Sequence, residues 1–154
     1  MSRQVLWRNR QRTLAVNRRL LGQIARVLLT EFFRPQRCQL CVHLVGKEEI
    51  SRLNQEFLRH AGATDVITFN YAHPAQADSI CGEIFICLDE ALAQARRFRT
   101  SWQVELVRYL VHGLLHLRGY DDGHRRSRLK MKREENRLLR ALAKQFALRE
   151  LAKT

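Results

Sequence analysis

The chain is short of the residues that interrupt regular structure. Two prolines and seven glycines in 154 residues are too few for a collagen-like or a Pro/Gly-rich disordered chain. No uninterrupted apolar run approaches the roughly 20 residues that a bilayer-spanning helix needs, so no membrane span is expected. Arg3, Arg8, Arg10 and Arg12 crowd the N-terminus with no apolar core behind them, which argues against a secretory signal peptide. Cysteine is sparse as well: Cys38 and Cys41 form one C-x-x-C, and Cys81 and Cys87 stand apart from it. A zinc ribbon wants two C-x-x-C pairs. The stretch Cys38 to Val45 also reads as a strand, on which residues three apart point to opposite faces. All four cysteines therefore read as small strand residues in a reducing compartment, and the chain as cytoplasmic. Acidic residues are the last shortage. Fifteen Asp and Glu face 28 Lys and Arg, a net charge of +13, well beyond the magnitude of about 2–8 that suffices for solubility. Such an excess favours a polyanion, nucleic acid above all, as partner, and the preference for Arg over Lys suits bidentate phosphate contacts.

What is present suits one α+β domain over residues 1–154, a small mixed sheet packed with helices. Gln4 to Trp7 reads as a short strand. Val16, Leu20, Leu21, Ile24, Val27, Leu28 and Phe32 recur at helical spacing and predict a helix over 14–33, ended by Pro35. A strand over 38–45 precedes a helix over 47–58, with Ile50, Leu53 and Phe57 inward. A loop over 59–64 leads to a β-rich run over 65–71, and another strand is expected over 80–88. Asp89 is a candidate cap for a helix reaching Phe98, and Ser101 for a strongly apolar central helix. A last basic helix is expected over about 127–152, docked through Leu129, Leu138, Leu139, Leu142 and Phe146. From Arg125 onward the chain holds eleven Lys or Arg against three Glu.

The most informative stretch is His112 to His124, His-Gly-Leu-Leu-His-Leu-Arg-Gly-Tyr-Asp-Asp-Gly-His. His112 and His116 fall on one face at the end of the central helix, with Cβ atoms about 5–6 Å apart. Imidazoles so placed can share a metal ion. Gly119 stands where a helix end wants a left-handed residue, so the chain can turn back and bring Asp121, Asp122 and His124 to the same point. The offsets of 112, 116, 119 and 122 match those of the longer metalloprotease pattern His-Glu-x-x-His-x-x-Gly-x-x-His. Gly113 replaces that pattern's general-base Glu, which ranks peptide hydrolysis low, and Asp122 replaces its third His. Gly113 also costs helix propensity, so a close neighbour should need its bare backbone.

This stretch resembles the signature of the YbeY family, His-Gly-x-Leu-His-Leu-x-Gly-Tyr-Asp-His, which residues 112–121 match at every specified position. Thr64 to Phe69 is similar to the family's Thr-Asp-Val-Leu-Ser-Phe strand, and Gly82-Glu83-Ile84 to its Gly-Asp-Ile. The resemblance implies a bacterial, metal-dependent, single-strand-specific endoribonuclease. It further implies action on rRNA of the small ribosomal subunit, in 16S 3′-end maturation and ribosome quality control. The family's Arg four residues after Asn54 is Leu58 here, so Arg59 or His60 is a candidate substitute for its catalytic cation.

The site so expected holds one divalent ion per chain, with Zn²⁺ first and harder ions such as Mn²⁺ favoured by a carboxylate. Its ligands would be His112 and His116 with Asp122, or His124 two residues further along. Asp122 is preferred because a glycine turn of fixed length leads to it. Asp121 would orient a His ligand or accept a proton. Arg108, Arg125, Arg126, Arg128 and Lys130 are candidate RNA contacts. The competing reading is a ribosome-associated RNA-binding protein whose metal is structural.

Overall fold

The structure is a computed structural model that describes residues 2–59, 62 and 64–153. Four strands form one sheet: β1 (Ser2–Asn9), β2 (Arg37–Val45), β3 (Val66–Asn70) and β4 (Ser79–Cys87). Their order is β1-β2-β4-β3. The first three strands across the sheet run parallel, and β3 pairs antiparallel with β4 at the edge. Around it lie α1 (Arg18–Val27), α2 (Lys47–Leu58), α3 (Leu88–Phe98), α4 (Trp102–Leu117) and α5 (Arg125–Gln145). No helix among the described residues is long and apolar enough to cross a membrane.

The two central strands reveal how the layers sit. In the first half of β2 and of β4, buried and more exposed residues alternate; the C-terminal halves are buried on both faces. Cys38, Leu40, Val42 and Leu44 of β2 join Ile80, Ile84 and Ile86 of β4 in the main core with α1, α4 and α5. On the other face α2 covers only the C-terminal end, where Ile50 packs with Val45, Ile67, Phe85 and Cys87. All four cysteines are free thiols on β2 and β4. Burial pushes the Cys87 thiol up to about 11, which fits the inert packing role read from sequence.

Several expected elements need correction. The 14–33 helix begins only at Arg18, because Asn17 caps it by accepting the Leu20 N–H at 3.1 Å. Val16 instead bridges to Ala152. After Val27 the helix widens into a π-helical turn, Leu28–Phe33, that ends at Arg34 in a left-handed conformation before Pro35. Asp89 does not cap α3; it reaches across to α2, accepting the Lys47 N–H at 2.6 Å and the Thr13 hydroxyl at 2.6 Å. Gly46 has no side chain to cap α2, so a carboxylate from elsewhere in the fold does. Phe57 and Leu129, expected inward, are exposed. The last helix stops at Gln145, with extended Phe146 leading to a 3₁₀ turn, Leu148–Leu151. Ser101 caps α4 as expected, accepting the Val104 N–H at 3.2 Å.

α4 packs against α3, α5, β3, β4 and the final 3₁₀ turn. Leu106, Leu110, Val111, Leu114, Leu115 and Leu117 are all buried, each such side chain worth about 1.5–3 kcal/mol against exposure. Gly113 lets α4 approach β4: a Cβ there would lie 2.8 Å from Ile84 Cγ2. Gly82 does the same for the edge strand, since its Cβ would lie 2.2 Å from the Phe69 carbonyl oxygen. Gly113→Ala should therefore cost about 1–3 kcal/mol despite its better helix propensity, because Ile84 is stiff and fully buried. Gly82→Ala meets backbone rather than side chain and should cost about 3 kcal/mol or more. Urea unfolding of both variants checks the pair; an unchanged midpoint in Gly82→Ala would contradict the close β3–β4 approach.

Candidate metal centre

The end of α4 turns sharply. Gly119 adopts φ +97°, its N–H donates to the His116 carbonyl at 3.0 Å, and the Tyr120 N–H donates to the Leu115 carbonyl at 3.0 Å. This is the Schellman arrangement that a left-handed glycine permits. It folds Asp122 back over the last turn. His116 Nε2 lies 3.1 Å from His112 Nε2; Asp122 Oδ2 lies 3.5 Å from the former and 4.0 Å from the latter. A tetrahedral ion with ligands at 2.0–2.1 Å needs ligand atoms about 3.4 Å apart. The three atoms are spaced for a common ion, and they leave the solvent side open.

Protonation fits the same use. His112 Nδ1 lies 2.8 Å from Glu135 Oε2. Burial works to raise the pKa of the Glu135 carboxyl, but hydrogen bonds from His112 and Arg108 outweigh it, and the net shift is downward. Glu135 is therefore an acceptor, the proton stays on His112 Nδ1, and the Nε2 lone pair faces the trio. Burial first, then the neighbouring His112, lowers the His116 pKa, which keeps that imidazole neutral and able to donate a lone pair.

Glu135 lies outside the motif that marks the other site residues. It sits on α5 in the stripe Met131, Glu135, Leu138, Leu139 and Leu142, all buried. An acid inside an apolar stripe was the available signal, since an unpaired buried carboxylate is costly. Arg108, expected as an RNA contact, is its partner: Nη1 donates to Glu135 Oε1 and to Asn136 Oδ1, both at 3.0 Å. Glu105 Oε1 lies 3.8 Å from Arg108 Nε. Nη1 is thus engaged by protein groups, while the side chain also lines the cleft beside His112.

The other candidates separate. Asp121, expected to orient an imidazole, accepts the Gly123 N–H at 2.8 Å instead, and Glu135 orients His112. His124 caps α5, with its N–H on Ser127 Oγ at 3.2 Å. It is absent from the His112, His116 and Asp122 group. Arg128 lines a cleft of about 610 Å³ beside the trio, together with His112, Asp122 and Lys132. Arg125 and Arg126 are exposed at the start of α5 and do not line that cleft. The Lys130 ammonium lies 5.6 Å from the Tyr120 ring centroid. Arg59 ends α2 in a left-handed conformation with its side chain exposed, away from the cleft lining. His60 lies outside the described residues.

A second grouping, Cys41, His43 and Glu83, also brings ligand-type atoms together. Its chemistry is already closed. Arg10 Nη2 donates to His43 Nδ1 at 2.9 Å, and an arginine can only donate. The remaining proton is on Nε2, which donates to Glu83 Oε1 at 2.8 Å, so this imidazole has no lone pair to offer. Tyr71 donates to the other Glu83 oxygen at 2.6 Å, and that bond leads the causes that push the Tyr71 phenol up to about 12.

Fold and site together define a small, basic α+β domain with a His-His-carboxylate centre opening on a cleft. The chain belongs to the YbeY family: the family described as Endoribonuclease YbeY matches residues 6–143. Relatives named Endoribonuclease YbeY are 44% identical over 90 residues in Chlorobium limicola, covering 58% of this chain and 60% of the relative. Those of Anaeromyxobacter sp. and Salinibacter ruber are 40% and 38% identical, covering 67% of this chain in each case and 54% and 69% of the relatives. The matched stretch thus spans about 60% of the first relative's length. The solution structure of TM1509 from Thermotoga maritima superposes with a TM-score of 0.70 at 24% identity, over 98% of this chain and 97% of that one. It has the same fold.

Truncating Glu135 tests the α4–α5 clamp apart from any ligand. Glu135→Ala leaves the Arg108 guanidinium and the His112 N–H short of their acceptor, and should cost about 1–3 kcal/mol in urea unfolding. Glu135→Gln, which keeps an acceptor oxygen, should cost less. Equal stability of Glu135→Ala and the parent would show that the clamp carries no weight.

Proposed function

We propose that this protein is a metal-dependent endoribonuclease that hydrolyses phosphodiester bonds in single-stranded RNA. One divalent ion, Zn²⁺ first, would be held by His112 Nε2, His116 Nε2 and Asp122 Oδ2. The observation that carries the reading is the spacing of those three atoms at the mouth of a cleft that Arg128 and Lys132 also line. When bound, such an ion supplies Lewis acidity and lowers the pKa of a water nucleophile. The chain's own groups do the rest. Glu135 keeps the His112 proton on Nδ1 and fixes the ring, Arg128 and Lys132 draw the phosphate into the cleft, and Asp121 accepts a proton at the open side. Arg59 and His60 are proposed as further phosphate contacts from the loop after α2, and Arg125, Arg126 and Lys130 as backbone contacts on approach. Net charge +13 and the word endoribonuclease in its relatives' name support RNA as the substrate, and the resemblance of residues 112–121 to the family signature leads us to propose rRNA of the small ribosomal subunit, in the cytoplasm.

The purified protein should cut single-stranded RNA, and chelation or His112→Ala should abolish cutting while circular dichroism stays unchanged. Undiminished cleavage by chelated protein would remove the metal from the chemistry, and RNA binding without cleavage by the metal-loaded protein would leave an RNA-binding role with a structural metal as the better reading. The ligand set has its own test. Asp122→Ala should lose bound metal, whereas His124→Ala should keep about one ion per chain; the reverse result would move the third ligand to His124. Binding should also weaken steeply with salt, with a log–log slope of about −0.7 for each phosphate neutralised on a single strand. A flat response would remove the polyanion argument.

A further inference from the structure

The cleft extends well beyond the three candidate ligands. α4 packs against both α3 and α5, so it forms a floor between two walls. From His112 the lining continues one turn back to Tyr109, then to Gln94 and Phe98 of α3 and to Asp65 before β3. Its volume, about 610 Å³, is in the range of sites that enclose small organic ligands. The end remote from His112 and Asp122 is chemically different from the ligand end. Phe98, the last residue of α3, is 61% exposed and lines this cleft. The Arg97 guanidinium carbon lies 5.2 Å from its ring centroid, and Leu129 stands exposed on the α5 side of the same cleft.

Polar groups without partners underlie this apolar lip. The Tyr109 hydroxyl is buried and has no hydrogen-bond partner among the described residues. Burial, the leading cause, raises its pKa, so it remains a donor in search of an acceptor. Asp65 uses one carboxylate oxygen for the Val66 N–H at 2.8 Å, and among the described residues no hydrogen bond engages the other. An exposed aromatic ring beside a cation, above donors and acceptors that lack partners, matches what an unpaired base needs: a face to stack on and groups for its edge.

We propose that this cleft is a nucleobase pocket. One unpaired base of the strand enters between α3 and α5, stacks on Phe98 beside Arg97, and presents its polar edge to Gln94, Asp65 and the Tyr109 hydroxyl. The phosphodiester next to that base then lies at the His112 and Asp122 end, within reach of Arg128 and Lys132. Duplex RNA cannot place a stacked base there, so the pocket selects single strands. This rests on the ribonuclease reading for its choice of ligand, but not on the metal, because none of the pocket's base contacts is a candidate ligand.

The test uses the full-length protein, as purified and after chelation, with single-stranded oligoribonucleotides carrying 2-aminopurine at successive positions. Stacking on Phe98 should quench the fluorescence at one position in both preparations. Phe98→Ala should lose that quench and bind the strand roughly five- to a hundred-fold more weakly, the range of one base–aromatic stack. Phe98→Trp should retain binding, and all three proteins should carry the same metal content. A strand made abasic at the quenched position should bind parent and Phe98→Ala alike. Unchanged affinity and quench in Phe98→Ala, or parent affinity that ignores the abasic site, would overturn the pocket. Quenching without cleavage by the metal-loaded protein would instead retain the pocket and defeat the ribonuclease reading.

Discussion

The hydrogen bond between His112 Nδ1 and Glu135 Oε2 is the contact on which the site's design depends. It joins the last turns of α4 to the middle of α5, fixes which imidazole nitrogen is protonated, and turns the Nε2 lone pair towards His116 and Asp122. A carboxylate held this deeply would be costly alone. Arg108 offsets its charge from one helical turn before His112, and Glu105 extends the same row. The sequence of groups, acid, base, acid and imidazole, is satisfied by partners at every step, which is the condition under which buried ions are tolerated. A carboxylate behind a histidine is also the arrangement by which proteins orient imidazole ligands.

Two glycines shape the surroundings of that contact. Gly113 lets the helix that bears the candidate ligands settle onto Ile84 of β4, which fixes α4 while His112 and His116 face α5 and Asp122. Gly119 ends the helix in a left-handed turn that returns the chain over it, delivering Asp122. Replacing either would shift His112, His116 or Asp122 without changing those side chains themselves. The position occupied by a general base in zinc proteases is here a packing position.

Much of this was legible in the sequence, and the parts that were not share a cause. Apolar period and turn residues marked α2, α4 and both central strands, because their signals are local. The trio was legible for the same reason, since His112, His116 and Asp122 lie within eleven residues joined by a helix and one turn. Glu135 was not, because its meaning comes from a pairing across 23 residues of sequence; only its place in an apolar stripe hinted at it. Asp89 was misassigned likewise: a helix-start acid looks like a cap for its own helix, and only the fold shows it capping α2. The pairing of Arg108 with Glu135 and Asn136 has the same origin, since it crosses 27 and 28 residues of sequence. Leu129 and Phe57 were assigned inward on periodicity alone, yet each lies near a helix end where packing has run out.

The proposed ion would sit between side chains of α4 and the turn after it, at His112, His116 and Asp122. An anomalous diffraction map from crystals grown with Zn²⁺ examines this without reference to activity. The predicted result is one strong peak about 2.0–2.2 Å from His112 Nε2, His116 Nε2 and an Asp122 oxygen, with Glu135 still bonded to His112 Nδ1. A peak ligated by Cys41 and Glu83, or one that draws its third ligand from His124 with Asp122 turned away, would contradict it.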